Sequence, residues 1–173
     1  MIAQIVPVLV AFGANLGDRG ETIRAAQRQL AATEGIREFV ASPLRETIAL
    51  TTAGPDPAAP RYLNGVATLE TALSPHALLD LLQHIESGHG RVRDERWGDR
   101  TLDIDIILYG GRVISDDRLH VPHPRAHERD FVLAPWLDLD PAAVLMGRGR
   151  VADLLARVGD TTRPLEEPRD ASS

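Results

Sequence analysis

Residues 102–108 read Leu-Asp-Ile-Asp-Ile-Ile-Leu, an alternation that limits the possible folds more than any other feature of the chain. Side chains two apart on a strand share a face, so Asp103 and Asp105 project together from a segment apolar enough for the middle of a sheet. Two neighbouring carboxylates repel each other and are poorly solvated there. A divalent cation beside them removes both problems, and hard oxygen ligands of this kind suit Mg²⁺, which takes its remaining ligands from water and substrate phosphates. Immediately upstream, Arg91, Arg93, Arg96 and Arg100 crowd a polar, glycine-containing loop. Planar guanidinium forks hold phosphate oxygens, so loop and strand together read as the two halves of a polyphosphate site. Each half alone has a blander reading, an ion-paired Asp-x-Asp or a solvated basic loop. Their adjacency is what favours the joint one.

Composition narrows the chemistry further. The chain has 173 residues, 43% of them hydrophobic and 25% charged, which fits one well-buried domain, taken as residues 1–160. Residues 161–173, charged and carrying two prolines, are expected to be a disordered tail. A formal net charge of −6 argues against general nucleic-acid or anionic-membrane partners, which reward a basic surface. Cysteine is absent, which excludes disulfides, thiolate catalysis and cysteine metal sites. The apolar start at residues 5–12 has no basic leader and is far shorter than a membrane span, so a cytoplasmic protein is expected. All nineteen Lys and Arg residues are arginine. Without lysine, a Walker-type phosphate loop, a protein-kinase site and Schiff-base chemistry are excluded.

The order of elements points to an α+β fold. Residues 6–12 form an apolar first strand that ends in the turn Gly13-Ala14-Asn15-Leu16-Gly17, either a plain connection or a phosphate cradle. Asp18 and Glu21 form a capping box for a helix striped by Ile23, Ala26 and Leu30. A second strand at 36–48 is weakened at Pro43, and residues 50–60 form a proline-rich loop. In the third strand, 62–71, Tyr62, Asn64, Val66, Thr68 and Glu70 face one way, and Leu63, Ala67 and Leu69 the other. Ser74-Pro75 starts a second helix with Leu78, Leu81, Leu82 and Ile85 as its buried stripe. Gln83 and Glu86 lie off that stripe and read, on spacing alone, as ordinary surface residues. The fourth strand carries Asp103, Asp105 and Tyr109 and turns at Gly110-Gly111. Strand, helix, strand, strand, helix, strand is the ferredoxin-like βαββαβ order, with both helices on one face of an antiparallel sheet and a C-terminal extension beyond it. The other face is left for Asn64, Thr68, Asp103 and Asp105. In the extension, prolines flank His123, which could donate to a phosphate or serve only the turn. Short helices are expected at 131–137 and 151–158.

The run Arg96-Trp97-Gly98-Asp99-Arg100-Thr101-Leu102-Asp103-Ile104-Asp105-Ile106 follows Gly90-Arg91-Val92-Arg93 and precedes Val121-Pro122-His123-Pro124 and Arg129-Asp130-Phe131-Val132-Leu133. With Gly13-Ala14-Asn15-Leu16-Gly17-Asp18-Arg19 and Tyr62-Leu63-Asn64, it closely resembles the 6-hydroxymethyl-7,8-dihydropterin pyrophosphokinases of folate biosynthesis, from about residue 6 to about 158. The resemblance implies a monomeric enzyme that moves the terminal pyrophosphate of ATP to the hydroxymethyl group of a reduced pterin, leaving AMP. It implies two Mg²⁺ ions held by Asp103 and Asp105, and catalytic arginines Arg91 and Arg100 in a mobile loop that closes over ATP. Arg93, Arg100, His123 and Arg129 match phosphate-binding positions, Gln83 and Glu86 a helix end near the nucleotide, and Ile106, Arg118 and His120 the adenine and ribose site. Trp97 and Phe131 match the aromatic pair that sandwiches the pterin, Asn64 and Thr47 the groups reading its edge, and Tyr62 the pocket lining. Departures from the family pattern are Asp94 where a basic residue is common, Asp99 for a usual proline, Ala14 for a usual serine, and a longer loop at 48–61.

Two other classes share this topology. An RNA-binding module would stack bases on aromatics from neighbouring central strands, for which the chain offers Tyr62 and Tyr109, although carboxylates beside them would repel phosphodiesters. A ligand-sensing domain would leave the arginine loop and the paired aspartates without a purpose.

Overall fold

Strand β1 (Val6–Ala14) alternates Val8, Val10 and Phe12 with Leu9, Ala11 and Gly13, and so offers a bulky face and one that becomes progressively smaller. The computed structural model, which describes residues 4–14, 19–47, 50–51, 54–55, 62–89 and 102–165, builds the fold around this strand. After it come α1 (Arg19–Ala31), β2 (Ile36–Ala41), β3 (Arg45–Thr47), a hairpin of β4 (Leu50–Thr51) and β5 (Gly54–Pro55), β6 (Tyr62–Thr71), α2 (Pro75–Gly88) and β7 (Asp103–Tyr109). The C-terminal part adds a hairpin of β8 (Ile114–Ser115) and β9 (His120–Val121), helix α3 (Asp130–Leu139), a hairpin of β10 (Val144–Leu145) and β11 (Gly149–Arg150), helix α4 (Val151–Val158) and β12 (Arg163–Pro164). The main sheet runs β12, β3, β6, β1, β7, antiparallel throughout, with β2 also paired to β6. Because β2 and β3 both pair with β6, they act as one interrupted strand, and the core is the expected ferredoxin-like βαββαβ.

The interruption has a local cause. Pro43 has no N–H to give the ladder, and the chain substitutes Ser42, whose N–H donates to the Val66 carbonyl at 2.8 Å and whose Oγ accepts the Val66 N–H at 2.9 Å. Helix α2 starts as the sequence requires: Ser74 Oγ accepts from Ala77 N at 3.2 Å, and Pro75 occupies the first turn, where its missing donor costs nothing. Leu78, Leu82 and Ile85 from α2 and Ile23, Ala26 and Leu30 from α1 then bury Val8, Val10, Phe12, Leu69, Ile104 and Ile106 on the first sheet face.

The second face differs from the expectation that it lies open. Helices α3 and α4 pack on it, and Leu133, Trp136, Leu145, Val151 and Leu154 enclose Leu9, Val66 and Ile107 in a second apolar core. The extension holds enough apolar surface to cover part of that face, and the end carrying Ala11, Gly13, Asn64, Asp103 and Asp105 lines a cavity. A second difference concerns the tail. Residues 161–165, expected to be disordered, lie on the sheet edge: Arg163 and Pro164 pair with Glu46 and Arg45, and Leu165 N donates to Leu44 O at 3.0 Å. Residues 166–173 lie outside the described residues.

Strict alternation also fails once. Leu9 pairs with Leu108 but Val10 pairs with Ile106, so β7 carries one extra residue, Ile107, at a bulge. Side-chain parity switches there. Asp103, Asp105 and Ile107 share the second face, whereas Tyr109 is buried in the first core with its hydroxyl donating to Leu73 O at 2.5 Å. Tyr62 and Tyr109 therefore lie on opposite faces and make no stacking platform for bases. Among the described residues no helix is long and apolar enough to cross a membrane.

Candidate active site

Cross-strand register builds the floor. Gly13 of β1 pairs with Asn64 on one side and Asp103 on the other, and one step along Ala11 pairs with Val66 and Asp105. The central strand thus offers only hydrogen and methyl side chains between the polar groups of its neighbours. A Cβ at Gly13 would sit 3.1 Å from Asn64 Oδ1, too close for comfort, so glycine keeps this floor low. The result is a cavity of about 500 Å³ lined by, among others, Thr47, Tyr62, Asn64, Asp103, Asp105, Arg129 and Phe131. Seven residues singled out in the sequence meet there. Ala11 and Gly13 were not singled out as floor residues, although their place among bulky neighbours in β1 is a readable signal.

The groups differ in how they are held. Asn64 is buried, and its Nδ2 donates to Thr47 Oγ1 at 2.9 Å, which fixes the amide plane and leaves its oxygen to meet a ligand's donor. Phe131, half-buried in the first turn of α3, lies under the Arg129 guanidinium at 5.5 Å from the ring centroid. Asp105 is exposed and Asp103 half-buried. Among the described residues no group of three or more metal-binding side chains forms. Two hard carboxylates on an open face, next to small side chains, are a donor set that fits Mg²⁺ bound through few protein ligands, with water and phosphate completing the shell.

His123 reaches this region through its backbone. Its N–H donates to the Ile107 carbonyl at 3.0 Å, so the bulge residue anchors the turn that follows β9. Nδ1 accepts the Arg125 N–H at 3.2 Å, which leaves Nε2 as the protonated, donating nitrogen. Burial pushes the imidazole pKa below its usual 6.5; Asp105 opposes this, while Arg129, Arg125 and His120 reinforce it. A neutral donor beside a carboxylate can bind an anionic oxygen without bringing a full charge.

The remaining residues lie apart from the cavity lining. Arg118 reaches across to α2, where Nη2 donates to Asp80 Oδ1 at 2.5 Å and to Gln83 Oε1 at 3.4 Å, so Arg118 and Gln83 are brought together on an exposed surface. His120 Nδ1 lies 3.2 Å from Ser115 Oγ, also exposed. Glu86 departs from its reading as a surface residue: it is 8% exposed, and Oε1 accepts the Ile104 N–H at 3.0 Å, fixing β7 between the two aspartates. The turn of the helix places it over the sheet, which spacing from the apolar stripe did not reveal. Ile106 is packed in the helix-covered core, so its side chain offers a nucleotide nothing and only its main chain could. Arg91, Arg93, Arg96, Trp97 and Arg100, with Asp94 and Asp99, lie outside the described residues.

Residues 9–141 match the model of the family described as 7,8-dihydro-6-hydroxymethylpterin-pyrophosphokinase. The chain belongs to this family. It is 44% identical over 153 residues to the 2-amino-4-hydroxy-6-hydroxymethyldihydropteridine pyrophosphokinase of Pseudomonas aeruginosa, across 88% of this chain and 92% of that one. With the enzyme of the same name from Haemophilus influenzae it shares 37% over 156 residues, across 90% and 95% of the two chains. Among solved structures, wild-type Plasmodium falciparum HPPK-DHPS is similar at a TM-score of 0.69 and 11% identity, over 93% of this chain and 44% of that one. The wild-type protein with pteroate gives 0.69 and 12%, over 98% and 47%. The chain thus spans about half the length of those solved proteins, and at such identity the likeness shows the fold. Pyrophosphokinases of this family depend on Mg²⁺, in keeping with the carboxylate pair.

Proposed function

We propose that the chain transfers the terminal pyrophosphate of ATP to the hydroxymethyl group of 6-hydroxymethyl-7,8-dihydropterin, leaving AMP, as a step of folate biosynthesis. Family membership carries the activity, and one observation ties it to this chain: Asp103 and Asp105 open onto the same cavity as Asn64 and Phe131. A metal-binding pair and a flat, amide-edged ring pocket in one cavity suit a reaction that joins a triphosphate to a heterocycle.

The residues divide the work. Asn64 and Thr47 read the polar edge of the pterin, Phe131 supplies one stacking face with Trp97 as the other, and Tyr62 closes the side. Asp103 and Asp105 would hold two Mg²⁺ ions, which when bound supply neutralisation of the phosphate oxygens and alignment of the in-line attack. His123, through Nε2–H, and Arg129 hold phosphate oxygens, joined by Arg91, Arg93 and Arg100. Glu86 acts on the aspartates through the backbone of β7, whereas Gln83, Arg118, His120 and the main chain at Ile106 lie on the nucleotide side. Catalysis then rests on positioning and charge, since no side chain of the described cavity is placed as an obvious base for the hydroxyl.

The test is product identity. Protein mixed with Mg²⁺, ATP and 6-hydroxymethyl-7,8-dihydropterin should release AMP; accumulation of ADP would overturn pyrophosphoryl transfer.

A further inference from the structure

The family match ends at residue 141, yet the cavity wall does not. Thr161 lines the cavity, and its N–H and Oγ1 both donate to Asp130 Oδ2, at 2.8 and 2.5 Å. Asp130 is buried, opens helix α3 and directly precedes Phe131, the aromatic wall of the ring pocket. A buried carboxylate is costly unless its oxygens are occupied, so whatever holds Asp130 also holds the start of α3. The next residues are fastened just as firmly. Thr162 donates from N and Oγ1 to Asp160 Oδ1, at 2.9 and 2.6 Å. Arg45 of β3 donates to Thr162 Oγ1 at 3.1 Å, lies 3.7 Å from Asp160, and forks onto both oxygens of Asp138 in α3 at 2.8 and 2.9 Å. Strand β3 also carries Thr47, the partner of Asn64.

We propose that residues 160–165 are a clasp joining the floor of the ring pocket to its aromatic wall, with Thr161 as a positioning residue that fixes Asp130 and so sets the gap into which a flat, nitrogen-rich bicyclic ring must fit. Floor and wall come from distant parts of the chain, Asn64 and Thr47 from the sheet and Phe131 from α3. The clasp is hydrogen-bonded to the strand that carries Thr47 and to the helix that carries Phe131, and it reinforces the direct Arg45 to Asp138 link between them. Selectivity for the ring therefore extends to a segment outside the family match, whereas the metal pair, on the far strand β7, does not depend on it. This inference rests on the reading of the cavity as a pterin site.

The experiment is titration of 6-hydroxymethyl-7,8-dihydropterin, followed by ring fluorescence, and separately of Mg-ATP, into the full chain and into Thr161→Val and Thr161→Ser. Thr161→Val keeps the volume and the backbone donor but loses the hydroxyl, and it should weaken ring binding about fivefold, the scale of one lost hydrogen bond. Mg-ATP binding should stay as in the parent, KM for the pterin should rise with little change in kcat, and Thr161→Ser should restore ring affinity. Ring affinity unchanged in Thr161→Val, or lost together with Mg-ATP affinity, overturns the clasp while leaving the pterin reading intact. Failure of the parent chain to bind the pterin overturns both. A chain ending at Gly159 serves as a second variant: folded by circular dichroism yet binding the ring as tightly as the parent, it would also refute the clasp.

Discussion

Around Asn64 the polar groups hold one another: Asn64, Thr47 and Asp130 are buried, Asn64 donates to Thr47, and Asp130 accepts from the exposed Thr161. Around Gln83 they stand in solvent: Arg118 and Asp80 have side chains 49% and 62% exposed. Both regions are rich in hydrogen bonds, but the first is fixed by strand register and burial and the second by flexible charged side chains. A rigid ring is best met by a preformed slot, since every group already in place saves ordering on binding. A flexible nucleotide tolerates partners that settle as it arrives. On the proposed assignment, shape selectivity and charge recognition fall to different materials within one small protein.

Consequences of this contrast can be ranked. Asp105→Ala removes one of the two carboxylates proposed to hold Mg²⁺ and should lower kcat by roughly 10³-fold, with ring binding by fluorescence nearly unchanged. Loss of ring binding instead would mean that the regions are not separable. Asn64→Ala should weaken pterin binding by about 10- to 100-fold and cost on the order of 1–3 kcal/mol in denaturant unfolding, since a buried amide reader and the Thr47 partner are lost together.

His123 gives a subtler probe. Its folded-state pKa lies below the unfolded value of 6.5, so the unfolded chain takes up the proton first as pH falls. The stability linked to this group is complete above about 6.5 and is lost as pH drops from there toward the lower folded value. His123→Gln should flatten that part of a Tm-against-pH curve of the metal-free protein; an unaltered slope would refute the assignment. Smallest is Arg118→Ala, which removes an exposed pair and should leave unfolding free energy within about 0.5 kcal/mol while raising KM for ATP about two- to fivefold. A loss of several kcal/mol there would show that the exposed surface is built like the pocket.

The core order and the chemistry were readable because they rest on local rules. Alternation placed Asp103 and Asp105 together and Asn64 with Tyr62, and Ser74-Pro75 set the start of α2. What escaped was non-local. Nothing in the spacing of Glu86 says that a β7 amide lies above it, and nothing around Thr161 says that Asp130 needs two donors. The second apolar core was missed because Leu133, Trp136 and Leu154 lie in short helices whose partner surface, Leu9, Val66 and Ile107, belongs to strands already assigned an open side.

The extra residue in β7 has a structural outcome of its own. By changing sides at Ile107, the strand spends its first half on wet chemistry and seats its last residue, Tyr109, as a peg among the helices. The carbonyl at that step, turned toward the segment after β9, receives His123. One inserted amino acid therefore lets a single backbone anchor the fold, display the acids and tether their imidazole neighbour, tasks that a regular ladder would have had to spread over several strands.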